Sequence, residues 1–481
     1  VPTRAAAAHL LRSIEDRQPA SINARLLPDF ITPDELPERL AERVRHDAPT
    51  LTAAEREALL GVACRAAIAE GEDPPFRLRP GLVAEILRFY DTLRRNQKDV
   101  DAFERLALGV LEPGAADDRG AERLVRQTRF LVSAFRHFEQ QCAEVGGFDE
   151  HAIRRHVRET AAARPWRHVI VAVGDRSLDP NGLFRADWDL LARVPGLERL
   201  DVVATDNTVA GAFHERIRDL LPGIDEVRFE SEPRGGEGGP VLLVTASARD
   251  REEEVAGFAR WVRHAIRAGD VSALDRMALV VRQPLPYVYV AREVLRSGGV
   301  PCQMFDALPL GAEPYAAALD LVVSCVSANF ARGPAIALLH SPHFLFEGIS
   351  ARDVTALDRA LSAAGYLGDV AALEQFTSPA AAVLRSVAAE LLPLRDEAPL
   401  AAHLERLFTF LTTHESVPGP EDPLRERQLR ARGAILGTLA TLRDAYARFD
   451  STPMDFDTVA AIVRRWIEGQ TFAPRTGESG V

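Results

Sequence analysis

Lysine is almost absent from this sequence. Lys98 is the only one, and every other basic residue among the 58 is arginine. A phosphate-binding P-loop needs the lysine of G-x-x-x-x-G-K-[ST] to reach the β- and γ-phosphates. Lys98 sits in RRNQKDV with no glycine ahead of it, so the chain carries no such loop. A PD-(D/E)xK nuclease centre needs a carboxylate two residues before its lysine, and Asn96 stands there instead. Cysteine is scarce too: Cys64, Cys142, Cys302 and Cys325 are scattered without C-x-x-C spacing. They read as small core residues in a reducing compartment, not as a zinc or iron–sulfur site. The motifs H-E-x-x-H and G-x-S-x-G are missing as well. No apolar run approaches the ~20 residues of a membrane span. The start, VPTRAAAAHLLRS, lacks the basic region, apolar core and cleavage site of a signal peptide. The expectation is therefore a cytoplasmic protein with no membrane partner. The start also lacks an initiator methionine, as expected of a piece of a longer chain.

The 481 residues suffice for roughly two to four domains. With 47% hydrophobic and 27% charged residues, the composition is that of an ordinary globular protein. A net charge of −12 argues against generic coating of nucleic acid. It leaves room for a local basic channel, because arginine is abundant.

The pattern around residues 241–305 organises the rest. Two apolar, β-branched runs, 241–244 and 278–281, read as buried strands. Between them Val255, Phe258, Ala259, Val262 and Ile266 mark one face of a helix, whose first turn carries Glu252, Glu253 and Glu254. A second helix around 291–295 is stopped by Gly298 and Gly299, and a short strand, 300–305, follows. Strand–helix–strand–helix–strand implies a parallel sheet with right-handed crossovers. The same alternation appears at 168–173 (strand), 186–194 (helix) and 200–207 (strand), whereas residues 53–160 and 316–470 are helical throughout. His151 and His156 lie five apart, on different helix faces, so they do not form a metal pair. RGGEGGP, residues 234–240, reads as a linker: it lacks the lysine of a phosphate loop and precedes a strand.

The order of elements across 241–305, with a strand ending in Val281-Arg282 and then Gly298-Gly299-Val300-Pro301, resembles the second motor domain of superfamily 1 (UvrD-like) helicases. Within that group the chain is most similar to AddB/RecB-type helicase–nuclease subunits of bacterial double-strand-break repair, PD-(D/E)XK nuclease family proteins. The resemblance implies an α/β fold of two RecA-like, P-loop NTPase-like parallel-sheet lobes, both incomplete, each with a large all-helical insertion. The implied boundaries are 1–50 and 164–233 for the first lobe, with its insertion at 51–163. A linker at 234–240 leads to the second lobe at 241–340, an insertion at 341–470 and a truncated return at 471–481. By the same resemblance Thr3, Arg4 and Arg282 occupy DNA-facing positions. Asp175 and Asp206 stand where a working motor holds nucleotide and magnesium. The first strand ends Ala172-Val173-Gly174-Asp175 where Asp-Glu is required, and the second ends Ala204-Thr205-Asp206-Asn207 with no glutamine nearby. These ATPase positions are degenerate, no catalytic residue or metal site is expected in this chain, and ATP and magnesium belong only with the missing P-loop and nuclease parts. The implied partners are single-stranded DNA and a motor helicase–nuclease subunit. Two other readings stay open: a protein-interaction scaffold, and an active helicase whose P-loop lies upstream. A cleft lined by clustered arginines is the feature that separates DNA guide from scaffold.

Overall fold

The computed structural model describes residues 1–16, 27–43, 49–160, 165–173, 183–209, 217–228, 247–269, 274, 277–281, 284–302, 308–422 and 424–472. The described chain is predominantly helical with a few short strands. It divides into two compact units. One comprises Pro33–Ala204 and Pro309–Phe472, the other Val1–Thr32, Thr205–Leu308 and Ala473–Val481.

The first of these units is built on helices whose starts are written in the sequence. Helix α3 (Ala53–Ala69) opens with a capping box in which Thr52 accepts from the Glu55 N–H and Glu55 accepts from the Thr52 N–H. Helix α5 (Val100–Leu111) is capped by Asp99, and α6 (Arg119–Val145) by Asp118, with Gly146 in the left-handed conformation closing its far end. On α4 (Pro80–Arg95), Val83, Ile86, Leu87 and Tyr90 repeat at helical spacing and are all buried. They meet Phe130, Leu131, Ala134, Phe135 and Phe138 of α6 and Leu59, Leu60 and Ala63 of α3 in one core. The C-terminal helices belong to the same body. Arg448 of α12 (Arg425–Phe449) reaches Glu55 at 3.2 Å, and Arg465 of α13 (Phe456–Glu468) pairs with Glu57. The helix expected over 370–376 is a 3₁₀ turn, Val370–Gln375, opened by the Asp369 side chain, which accepts from the Ala371 N–H. A 3₁₀ turn, Pro33–Glu35, runs into α2 (Leu36–Ala41).

Within this unit β1 (His168–Ala172) and β2 (Arg199–Val203) pair in parallel, His168 opposite Arg199 and Ala172 opposite Val203. Helix α8 (Arg185–Arg193) lies between them in sequence, as the strand–helix–strand reading requires. The second strand is shorter than expected. Thr205 accepts from the Thr208 N–H and turns the chain into the four-residue helix α9 (Asp206–Val209).

In the other unit α1 (Arg4–Asp16) is followed, beyond α9, by α10 (Arg251–Ala268) and α11 (Pro284–Ser297). Asp250 caps α10, and Glu252, Glu253 and Glu254 fill its first turn. Val255, Ala259 and Val262 are buried against Ala291 and Leu295 of α11, while Ile266, in phase with that face, is 41% exposed. Ala265, one position earlier, takes the buried place in that turn. Gly299 ends α11 with φ +65°, and the Val300 N–H closes back on the Leu295 carbonyl. The strand expected at 278–281 does not form among the described residues: Val280 is 88% exposed. An apolar run becomes a strand only where a neighbour supplies a hydrogen-bonded ladder. Here Met277 and Leu279 pack one side of the segment on α10 and α11 instead. Residues 241–244 and the linker 234–240 lie outside the described residues.

Candidate functional site

The turn between α4 and α5 carries the lone lysine. Helix α4 ends as Gln97 takes φ +59°, which lets the Lys98 N–H bond back to the Leu93 carbonyl and the Gln97 N–H to that of Arg94. Across from this turn lies α7 (Glu150–Glu159), whose Asp149 cap accepts from the Ala152 N–H at 2.7 Å. Helix α8 forms the third wall. Together they border a cavity of about 290 Å³ lined by Arg94, Gln97, Lys98, Asp99, His151, Arg154, Arg155, Arg158, Ala186, Asp189 and Leu190. Five cations therefore face two carboxylates, in a chain whose net charge is −12.

A largely buried ionic network holds Arg154 and Arg158 among them. Arg154 Nε donates to Asp187 Oδ1 at 2.9 Å, and its Nη1 donates to Glu150 at 2.7 Å. Asp187 accepts a second bond from the Phe184 N–H at 2.9 Å, so one carboxylate both opens α8 and ties it to α7. Asp189 takes Arg158 and Arg193, each at 2.7 Å. Arg95 grips Glu150 at 3.0 Å and lies over the Phe184 ring. Deeper in, Arg56 of α3 pairs with Asp91 of α4, and His151 Nε2 lies 2.9 Å from the same carboxylate. Burial alone would raise the Asp91 carboxyl, but the hydrogen bonds from His151 and Arg56 outweigh it and bring it down to about 2. Glu150 is also lowered; against its burial, His151 and Arg154 favour the charged form. Burial works to lower Arg154, and Asp187 with Glu150 reverses that and raises it.

Lys98 and Arg155 differ from the rest. Both are exposed, and neither side chain has an ion-pair or hydrogen-bond partner among the described residues. They offer uncommitted positive charge at a cavity whose other guanidiniums are fixed by carboxylates.

Asp91, Glu150 and His151 place donor atoms within 4.8 Å of one another, a spacing that suits a metal ion. Arg56, Arg95 and Arg154 already sit on these carboxylates. A dication would have to displace guanidiniums from a buried site, so the donor set fits an ion-pair cluster better than a metal centre. The three histidines of the helical region go separate ways. His137 meets Glu70 at 2.8 Å, His151 meets Asp91, and His156 packs on the Phe148 ring at 5.3 Å.

None of the residues singled out from the sequence as site residues is among those that line this cavity. Thr3 is exposed and accepts from the Ala6 N–H at 3.1 Å, the geometry of an N-cap. Arg4 opens α1, and its side chain lies outside the described residues. Arg282 and Asp175 also lie outside them. The Asp206 carboxylate is exposed and 3.5 Å from Arg228. Tyr287 packs against α10: its hydroxyl donates to Glu254 and Arg251 lies over its ring. The cleft itself was missed. Its signal was the pair of basic clusters RRNQK (94–98) and RRHVR (154–158), which sequence spacing alone does not bring together. No protein-family model matches this chain, and no curated protein matches it either.

Proposed function

We propose that this chain is the helicase-like region of an AddB/RecB-type helicase–nuclease subunit in DNA double-strand-break repair, where it guides single-stranded DNA while a partner subunit supplies the motor. The finer fold reading, two incomplete RecA-like lobes with helical insertions, belongs to the same proposal. The observation that carries it is the cleft lined by Arg94, Lys98, Arg154, Arg155 and Arg158. Clustered cations at a concave site are the feature that separates a nucleic-acid guide from a scaffold. The parallel pairing of β1 with β2 around α8 agrees with the α/β pattern of the resemblance. The degenerate strand ends, Ala172-Val173-Gly174-Asp175 and Ala204-Thr205-Asp206-Asn207, support guidance without ATP hydrolysis.

The test is fluorescence anisotropy with labelled single-stranded DNA at several salt concentrations, with and without ATP. The charge-reversed variant Lys98→Glu/Arg155→Glu is run beside the parent chain. Binding that weakens with salt, is indifferent to ATP and drops at least about tenfold in the variant supports the proposal. Each lost phosphate contact lowers the log–log salt slope by about 0.7. Absent binding, or binding that the variant leaves unchanged, moves the assignment to a scaffold.

A further inference from the structure

We infer that the cleft takes a terminal phosphate monoester of the nucleic-acid strand, so that the strand is guided by its end; this rests on the strand-guiding reading above. Four features converge on it. The first is size. About 290 Å³ lies at the low end of ligand cavities, enough for one nucleotide unit and not for several. The second is the lining. Among the described residues no Phe, Tyr or Trp borders the cavity, and the one ring there, His151, is nearly buried and held by Asp91, so the cavity offers no open platform for stacked bases, which non-specific strand grooves use. The third is charge. Both lining carboxylates are committed: Asp99 accepts from the Ala102 N–H at 2.7 Å and caps α5, and Asp189 is held by Arg158 and Arg193. Lys98 and Arg155 are uncommitted. A phosphate monoester, at about −1.5 to −2 near neutral pH, matches two free cations better than a singly charged diester does. The fourth is rigidity. Arg154 is locked between Glu150 and Asp187 before any ligand arrives, so the guanidinium wall is set in advance.

Lys98 and Arg155 meet the terminal oxygens as charge-assisted donors, while Ala186 and Leu190 supply an apolar wall for the attached sugar. Recognition is of charge and of a strand end, without readout of the base.

The experiment compares one short oligothymidylate in three forms, 5′-phosphorylated, 3′-phosphorylated and unphosphorylated, with the full chain and with Lys98→Ala/Arg155→Ala. Both residues are exposed and without partners among the described residues, so the variant keeps its fold; an unchanged melting midpoint verifies that. The expected result is about tenfold tighter binding of one phosphorylated form, lost in the variant. Thymidine monophosphate competes with it and thymidine does not. Equal binding of all three forms by the parent chain overturns the inference while leaving strand guidance standing. A phosphate preference that survives in the variant overturns it too, because the site then lies elsewhere. If no strand binds at all, the strand-guiding reading fails. Calorimetry with thymidine monophosphate then decides the pocket alone: binding that the variant abolishes sustains a phosphate receptor, and no binding removes it.

Discussion

Arg154 is the residue through which the cleft wall is fastened, and Arg154→Met isolates its charge from its bulk. Methionine keeps the apolar stem and removes the guanidinium. Asp187, with a side chain 3% exposed, then keeps only the Phe184 N–H, and Glu150 keeps Arg95. Removing one partner of a buried ion pair costs about 3–5 kcal/mol, because it leaves a charge without its counter-charge. The surviving partners of Asp187 and Glu150 put this case at the low end, about 3 kcal/mol. In a body of this size a midpoint falls by about 2 °C per kcal/mol, so the melting temperature drops by roughly 6 °C. Asp187→Asn preserves the cap on α8 and removes the opposite charge. If the two groups act on each other, the double variant Arg154→Met/Asp187→Asn loses less than the sum of the singles, by about 1.5 kcal/mol or more. Thermal and urea unfolding of all four proteins measure this. Additivity within about 0.5 kcal/mol would refute the argument, since α7 and α8 would then be held by apolar packing and the buried pair would contribute nothing specific.

The Asp91 carboxyl, brought from 3.8 to about 2, lies lower in the folded chain than in the unfolded one, so its contribution is complete above pH 4 and disappears as pH falls from about 4 to about 2. Nearly two pH units amount to about 2.5 kcal/mol, and unfolding followed across that window should show an acid-dependent loss larger by about that amount in the parent than in Asp91→Asn, where the lowered Glu150 still contributes. Phe135 is fully buried with the rings of Tyr90, Phe89 and Phe103 at 5.2, 6.2 and 6.4 Å, so Phe135→Ala should cost about 3–5 kcal/mol, read by denaturant unfolding, while strand affinity of the folded fraction stays unchanged.

Helices were legible because their signals are local. Asp99, Asp118, Asp149 and Asp250 each stand one residue before a helix and cap it, and Val83-Ile86-Leu87-Tyr90 repeats with the helical period. The segment 168–203 was legible for a related reason: two β-branched runs flank one amphipathic helix. The run 278–281 misled because β-branched residues signal an extended backbone, not the partner that completes a ladder. The cleft was illegible for a different reason. Arg154 meets Asp187 across 33 positions, Arg95 meets Glu150 across 55, and Arg56 meets Asp91 across 35. Composition showed that arginine is abundant, but which arginines are neutralised and which stay free is settled only once three helices and a turn have packed. The union of the helices before residue 160 with those beyond 314 was hidden in the same way, since Glu57 and Arg465 lie 408 positions apart.

A chain with a single lysine has a single side-chain amine, and here that amine stands at the mouth of the cleft. The arginines around it do not acylate under conditions that modify an amine. An amine-reactive dye therefore attaches to one side chain, with the α-amine as the one competitor, and no substitution is needed to place it. The scarcity of lysine makes this chain its own probe: the rate at which Lys98 is modified reports how open the cleft is, and any ligand that fills it slows that rate.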